Sequence, residues 1–151
     1  MIRGVIFDFN RTLYDPHSRQ LAEGALQLLG RLRSRGYAMC LISKKSAEDR
    51  RGHIASLGIG VYFKRILVIE GSKQEAHFSE CMDAMALPSR EIAVVGDRIR
   101  EEIALGNRMG MRTVWYRAGK FADELPEGED QEPWATVTSL DDVWVRLQAA
   151  E

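Results

Sequence analysis

The chain is short of several things, and each shortage removes a class of explanation. It has two cysteines in 151 residues, Cys40 and Cys81, both in apolar stretches and without ligand spacing. A disulfide scaffold is thereby disfavoured, and two reduced thiols are the simpler reading. The three histidines, His17, His53 and His77, lack metal spacing, so no zinc site is indicated. Neither sign of charge is in excess: 21 Lys and Arg stand against 22 Asp and Glu, a formal net charge of −1. Nucleic-acid binders and proteins of anionic membrane surfaces usually carry a basic surplus, so neither partner is expected. No apolar run approaches the ~20 residues of a membrane span, and Asp8 interrupts the one candidate for a secretory signal. There is no Gly-Lys-Ser/Thr phosphate loop, and residues 57–63 lack the third glycine of a dinucleotide fingerprint. A soluble, cytoplasmic chain is expected.

What is present is the composition of one ordinary domain spanning 1–151, with 45% hydrophobic and 28% charged residues and enough length to bury a sizeable core. Continuous apolar runs at 2–9, 37–42, 65–69, 91–95 and 112–116 read as strands, with a short edge strand at 135–137. Helical patterns separate them. The first carries Leu21, Ala25, Leu28, Leu29 and Leu32 on one face and stops at Gly36. The second opens on a capping box at Ser46-Ala-Glu-Asp49 and stops at Gly58. The third runs over 73–86 before Pro88, and the fourth over 99–109 before Gly110. A last helix has Ser139 as its N-cap, and residues 10–18 and 117–133 read as surface loops. Strands without polar alternation, each followed by a helix, predict an α/β fold. The expected form is a doubly wound parallel sheet of five strands plus the edge strand, with helices on both faces.

Polar groups stand at the ends of four of these strands: Asp8, Ser43, Lys73 just past the third, and Gly96-Asp97. In such a sheet the carboxyl ends of the strands share one edge, where ligands bind. Two carboxylates, a hydroxyl and a lysine suit a phosphoryl group held beside a hard divalent cation.

The same set resembles the haloacid dehalogenase (HAD) superfamily of phosphohydrolases along essentially the whole chain. The family's Asp-x-Asp-x-Thr motif is matched by Asp8-Phe9-Asn10-Arg11-Thr12. Its strand ending in Ser or Thr is matched by Leu41-Ile42-Ser43, and its lysine before a helix by Lys73. Its Gly-Asp with a later acid is matched by Val94-Val95-Gly96-Asp97 and Glu101 or Glu102. The resemblance implies that Asp8 is the nucleophile and that Ser43 and Lys73 bind the phosphoryl group. It further implies Mg²⁺ held by Asp8, the carbonyl of Asn10, Asp97 and Glu102, and a small phosphorylated substrate or a phosphoprotein as partner.

Two departures qualify it. Asn10 stands where the family's phosphatases carry a second Asp, which protonates the leaving group and later activates water. Three readings of Asn10 stand at this point: substrates with good leaving groups, proton transfer by His17 or Asp15 in the following loop, or a protein that binds rather than turns over. Moreover, neither the stretch before the first helix nor residues 44–72 has room for a cap domain. An open site is expected.

Overall fold

A computed structural model describes residues 1–150. Six strands form one all-parallel sheet: β1 (Gly4–Asp8), β4 (Ala38–Lys44), β5 (Arg65–Ile69), β6 (Ile92–Gly96), β7 (Arg112–Tyr116) and β8 (Ala135–Val137). Their order is β5-β4-β1-β6-β7-β8, so the first strand is central and the chain reverses direction across the sheet there. Two further short strands, β2 (Tyr14–Asp15) and β3 (Gln20–Leu21), pair antiparallel beside it. The helices are α1 (Ala25–Ser34), α2 (Arg50–Ser56), α3 (Glu75–Met85), α4 (Ala104–Arg108) and α5 (Leu140–Ala149).

Burial follows the alternation of side chains along β1. Val5 and Phe7 enter a core shared with Leu28, Leu29 and Leu32 of α1 and with Val143 and Leu147 of α5. Ile6 faces the other way, into a core with Phe78, Cys81 and Met85 of α3. Both faces of the sheet are therefore covered, which is why its strands read as unbroken apolar runs. Cys40 and Cys81 are both buried and free.

Some boundaries differ from expectation. The first helix begins at Ala25 rather than near Leu21, because Gln20–Leu21 pairs with Tyr14–Asp15 and Gly24 takes a left-handed conformation at φ 86°. The N-cap of α2 is Asp49, whose side chain accepts from the Gly52 amide, whereas Ser46 donates to its neighbour's carbonyl at Glu48. Lys73 lies in the loop before α3. The stretch expected as one helix from 99 opens with a π-helical turn, Ile99–Ile103, before α4.

The long loop after β7 is exposed yet tethered. Asn107 Nδ2 donates to the carbonyls of Asp130 and Glu132 at 2.7 Å each, and Arg98 Nε meets Glu124 Oε1 at 2.6 Å. The chain carries no cap domain among the described residues: only the β2–β3 hairpin precedes α1, and residues 44–72 hold α2, a 3-10 turn at 60–62 and β5. No helix among those residues is long and apolar enough to cross a membrane.

Candidate active site

Strand order and register assemble the site. Asp8 ends β1 opposite Ile42, one residue before Ser43, and Phe7 pairs with Val95, which brings Asp97 just beyond the neighbouring strand end. Asp8, Asn10, Ser43, Lys73 and Asp97 all line one cavity of ≈ 210 Å³ at this edge. Of the six residues expected at the site, these five line the cavity, whereas Glu102 lies beneath it against Lys73 and Glu101 takes a place in the wall.

The floor of the cavity is a buried network. Lys73 Nζ lies 3.0 Å from Asp8 Oδ1 and 3.0 Å from Glu102 Oε1, with its side chain only 4% exposed. Thr12 Oγ1 donates to the other Asp8 oxygen at 3.1 Å. The Arg98 amide donates to Glu102 Oε2 at 2.7 Å, and the Trp115 indole donates to the carbonyl of Asp97 at 3.0 Å. Glu102 reaches this position because residue 96 has no side chain: a Cβ there would overlap the Glu102 carboxylate arm. The adjacent Glu101 turns elsewhere, to Lys44 Nζ at 2.9 Å and to the Lys73 amide at 3.2 Å. Consecutive acids thus hold the two ends of one lysine.

Charge crowding sets the protonation equilibria. Burial raises the Asp97 carboxyl, and the neighbouring charges of Asp8 and Glu102 raise it further, to about 8. Burial likewise lifts Glu102 to about 7, with Lys73 opposing it and Asp8 adding to it. Burial works against the Lys73 ammonium, but the carboxylates of Asp8, Glu102 and Glu101 outweigh it and hold the lysine charged. For Glu101, burial is outweighed by Lys73 and Lys44, and its carboxyl lies below the usual range.

Ligand oxygens of Asp8, Asp97 and Glu102 lie within 4.8 Å of one another. Asp97 Oδ2 is buried without a hydrogen bond; Arg11 Nε stands 3.4 Å away but is not aligned to donate, and it too lacks a partner. An unsatisfied carboxylate oxygen beside two further carboxylates is a hard-oxygen set that can hold a divalent cation. Of the two candidate acids, Glu102 belongs to this cluster and Glu101 does not.

The two loop groups considered for proton transfer do not border the cavity. Asp15 lines a separate hollow with Tyr14 and Tyr116. The His17 amide donates to it, and that bond together with Ser18 keeps its carboxyl low, which ill suits an acid. His17 itself is exposed in the turn between β2 and β3.

Several participants escaped sequence reasoning. Phe121 lies under the guanidinium carbons of Arg98 at 3.8 Å and Arg11 at 4.9 Å, so the loop after β7 packs against the cavity's arginines. Trp115 packs in the core with Ile99 and Ile103 while its indole holds the Asp97 carbonyl. Arg50 lines the cavity from α2. A lone loop aromatic or helix arginine leaves no local pattern from which to infer such contacts.

The HAD-hydrolase-like family model matches residues 66–143. The chain belongs to the HAD-like hydrolase family. A glyceraldehyde 3-phosphate phosphatase of Pyrococcus abyssi is 31% identical over 101 residues, covering 64% of this chain and 42% of the relative. The chain spans less than half the length of the curated relatives it matches. Among solved structures, a 2-haloacid dehalogenase of Pseudomonas syringae superposes with a TM-score of 0.82 at 16% identity, covering 100% of both chains. The magnesium-bound HAD-hydrolase YfnB of Bacillus subtilis gives 0.71 at 18% identity, covering 85% of this chain and 56% of its own. These structural likenesses establish a shared HAD fold.

Proposed function

We propose that the protein is a phosphohydrolase in which Asp8 is the nucleophile and Mg²⁺ is the cofactor. The observation that carries this reading is the Asp8 carboxylate at the floor of an open cavity, held by Thr12 and Lys73 beside Asp97 and Glu102. Asp8 attacks phosphorus, the bond from phosphorus to the leaving oxygen breaks, and an aspartyl-phosphate forms. Water then attacks phosphorus, the bond to Asp8 breaks, and phosphate departs. Asp8, Asp97 and Glu102, with the Asn10 carbonyl, would hold Mg²⁺, which offsets repulsion between carboxylate and phosphate. Ser43 and Lys73 bind the phosphoryl oxygens as donor and cation.

Asn10 sets the limit on turnover. An amide neither protonates a leaving alkoxide nor activates water near neutral pH, and lacking a general acid forfeits roughly 10²–10⁴ in rate. Glyceraldehyde 3-phosphate phosphatases among the relatives support a small phosphorylated substrate. Here, however, aryl or acyl phosphates, whose leaving groups depart without a proton, should turn over faster than alkyl esters. Asn10 also favours a second reading, a protein that keeps the pocket to bind a phosphorylated ligand.

One assay separates the two: magnesium-dependent hydrolysis of an aryl phosphate by wild type, Asn10→Asp and Asp8→Asn. The expected result is activity in wild type, more in Asn10→Asp on alkyl esters, and loss in Asp8→Asn. An inert wild type awakened by Asn10→Asp selects the binding role. No activity in any of the three overturns the enzyme reading.

A further inference from the structure

The charged side chains lining the Asp8 cavity are unevenly matched. Arg11, Lys44, Lys45, Arg50, Lys73 and Arg98 face three acids, Asp8, Asp97 and Glu101. Five of those six cations have a carboxylate within ion-pair distance. Lys73 is held by Asp8 and Glu102 and Lys44 by Glu101, while Arg11 stands within ion-pair distance of Asp97 at 3.4 Å without a hydrogen bond. Arg98 meets Glu124 at 2.6 Å, and Lys45 meets Glu70 at 3.2 Å. Arg50 has no carboxylate within ion-pair distance among the described residues. Its guanidinium carbon lies 5.0 Å from the centroid of the Phe9 ring, and its Nε is buried without a hydrogen-bond partner.

These two features together point to a ligand. Phe9 directly follows Asp8 in the chain and is fully buried, so a guanidinium resting on its ring is fixed relative to the nucleophile's strand end. Stacking on an aromatic face leaves the in-plane N–H groups of an arginine available, and their fork matches the two oxygens of a carboxylate or phosphate. An arginine held over a buried ring at the cavity wall and left without a carboxylate partner is prepared for an anion that arrives from outside.

We propose that Arg50 binds a second anionic group of the substrate, so that the preferred ligands are phosphorylated compounds carrying a carboxylate or a second phosphoryl group. This rests on the reading of the cavity as the phosphoryl site. The transferring phosphoryl group lies at Asp8, Ser43 and Lys73, and the second anion is held across the same small cavity by Arg50. Lys44 and Lys45, both exposed at the rim, add to the field that draws such a dianion in. The absence of a cap gives this contact its importance. Among the described residues no cap stands over the cavity, so recognition falls to side chains of its wall.

The test is binding of three non-hydrolysable probes in Mg²⁺ by calorimetry: benzylphosphonate, 4-carboxybenzylphosphonate and the corresponding bisphosphonate. Wild type should bind at least one doubly anionic probe about tenfold more tightly than benzylphosphonate. That ratio should fall toward one in Arg50→Gln and be partly kept in Arg50→Lys, which retains charge without the fork. Which doubly anionic probe gains more identifies the second group as carboxylate or phosphoryl. A wild-type ratio near one, a ratio unaltered in Arg50→Gln, or no binding of any probe overturns the proposal. Failure of the phosphohydrolase reading shows separately, as absent aryl phosphate turnover with the affinity ratio intact.

Discussion

The floor and the rim of the cavity solve opposite electrostatic problems. On the floor, Asp8, Asp97, Glu102 and Lys73 are almost wholly removed from water, and the protonation of Asp97, Glu102 and Lys73 depends on the charges around them. At the rim, Lys45 and Glu70 form an exposed pair at 3.2 Å with side chains 63% and 80% exposed, where solvent screens most of the attraction. Buried charges can be tuned because water does not buffer them; exposed ones can be exchanged because it does. The floor therefore suits the proposed chemistry, and the rim suits attraction of an anionic ligand.

Breaking the floor should therefore cost far more than breaking the rim. Lys73→Met leaves three neighbouring carboxylates with no ammonium among them, and loss of one partner of a buried ion pair typically costs about 3–5 kcal/mol. Urea denaturation without metal should register that loss, and Mg²⁺ should recover part of it. A stability equal to wild type would mean that the lysine does not hold the cluster together.

Gly96→Ala should come next. The added methyl group meets the Glu102 side chain inside a close-packed strand end, an overpacking worth about 1–3 kcal/mol. It should also displace Glu102 and weaken magnesium binding, measured by titration. A variant with full metal affinity would show that Glu102 has another route to the cluster.

A pH series sharpens the same contrast. Asp97 and Glu102 hold their protons more tightly when folded, with Asp97 raised from 3.8 to about 8 and Glu102 from 4.5 to about 7. The folded state thus binds more protons than the unfolded one across that window, and metal-free stability falls as pH rises through it. Saturating Mg²⁺ should flatten the fall, and so should Asp97→Asn. A metal-free stability that rises from pH 5 to 8 would contradict the raised acids. Lys45→Ala closes the series, with a change below about 0.5 kcal/mol, because an exposed pair contributes little.

Elements whose pattern is local were legible. Apolar runs located β1, β4, β6 and β7, since a strand buried on both faces leaves that signature whatever surrounds it, and the less buried edge strands β5 and β8 were legible beside them. The β2–β3 hairpin was missed, because two-residue strands carry no period. The π-helical turn at Ile99–Ile103 was read as ordinary helix, because its composition does not differ from one. Asp8, Ser43, Lys73 and Asp97 were recognisable from their place at strand ends. Arg50, Phe121 and Glu124 were not, because their relation to the cavity runs through contacts between distant parts of the chain.

A carboxylate, a hydroxyl, a lysine and a second carboxylate at successive strand ends are bound by their order in the chain to share one edge. Any parallel sheet wound from these strands puts their carboxyl ends on the same side. Packing in three dimensions settles that Glu102 rather than Glu101 joins Asp8, that Lys73 bridges them, and that Arg50 alone of the cavity's cations has no carboxylate within ion-pair distance among the described residues. Those outcomes depend on side-chain direction over a few ångströms: on the room left by Gly96, the turn at Ile99–Ile103 and the carboxylates within reach of each cation. Local patterning fixes which edge a group reaches, whereas through-space packing fixes what it meets there.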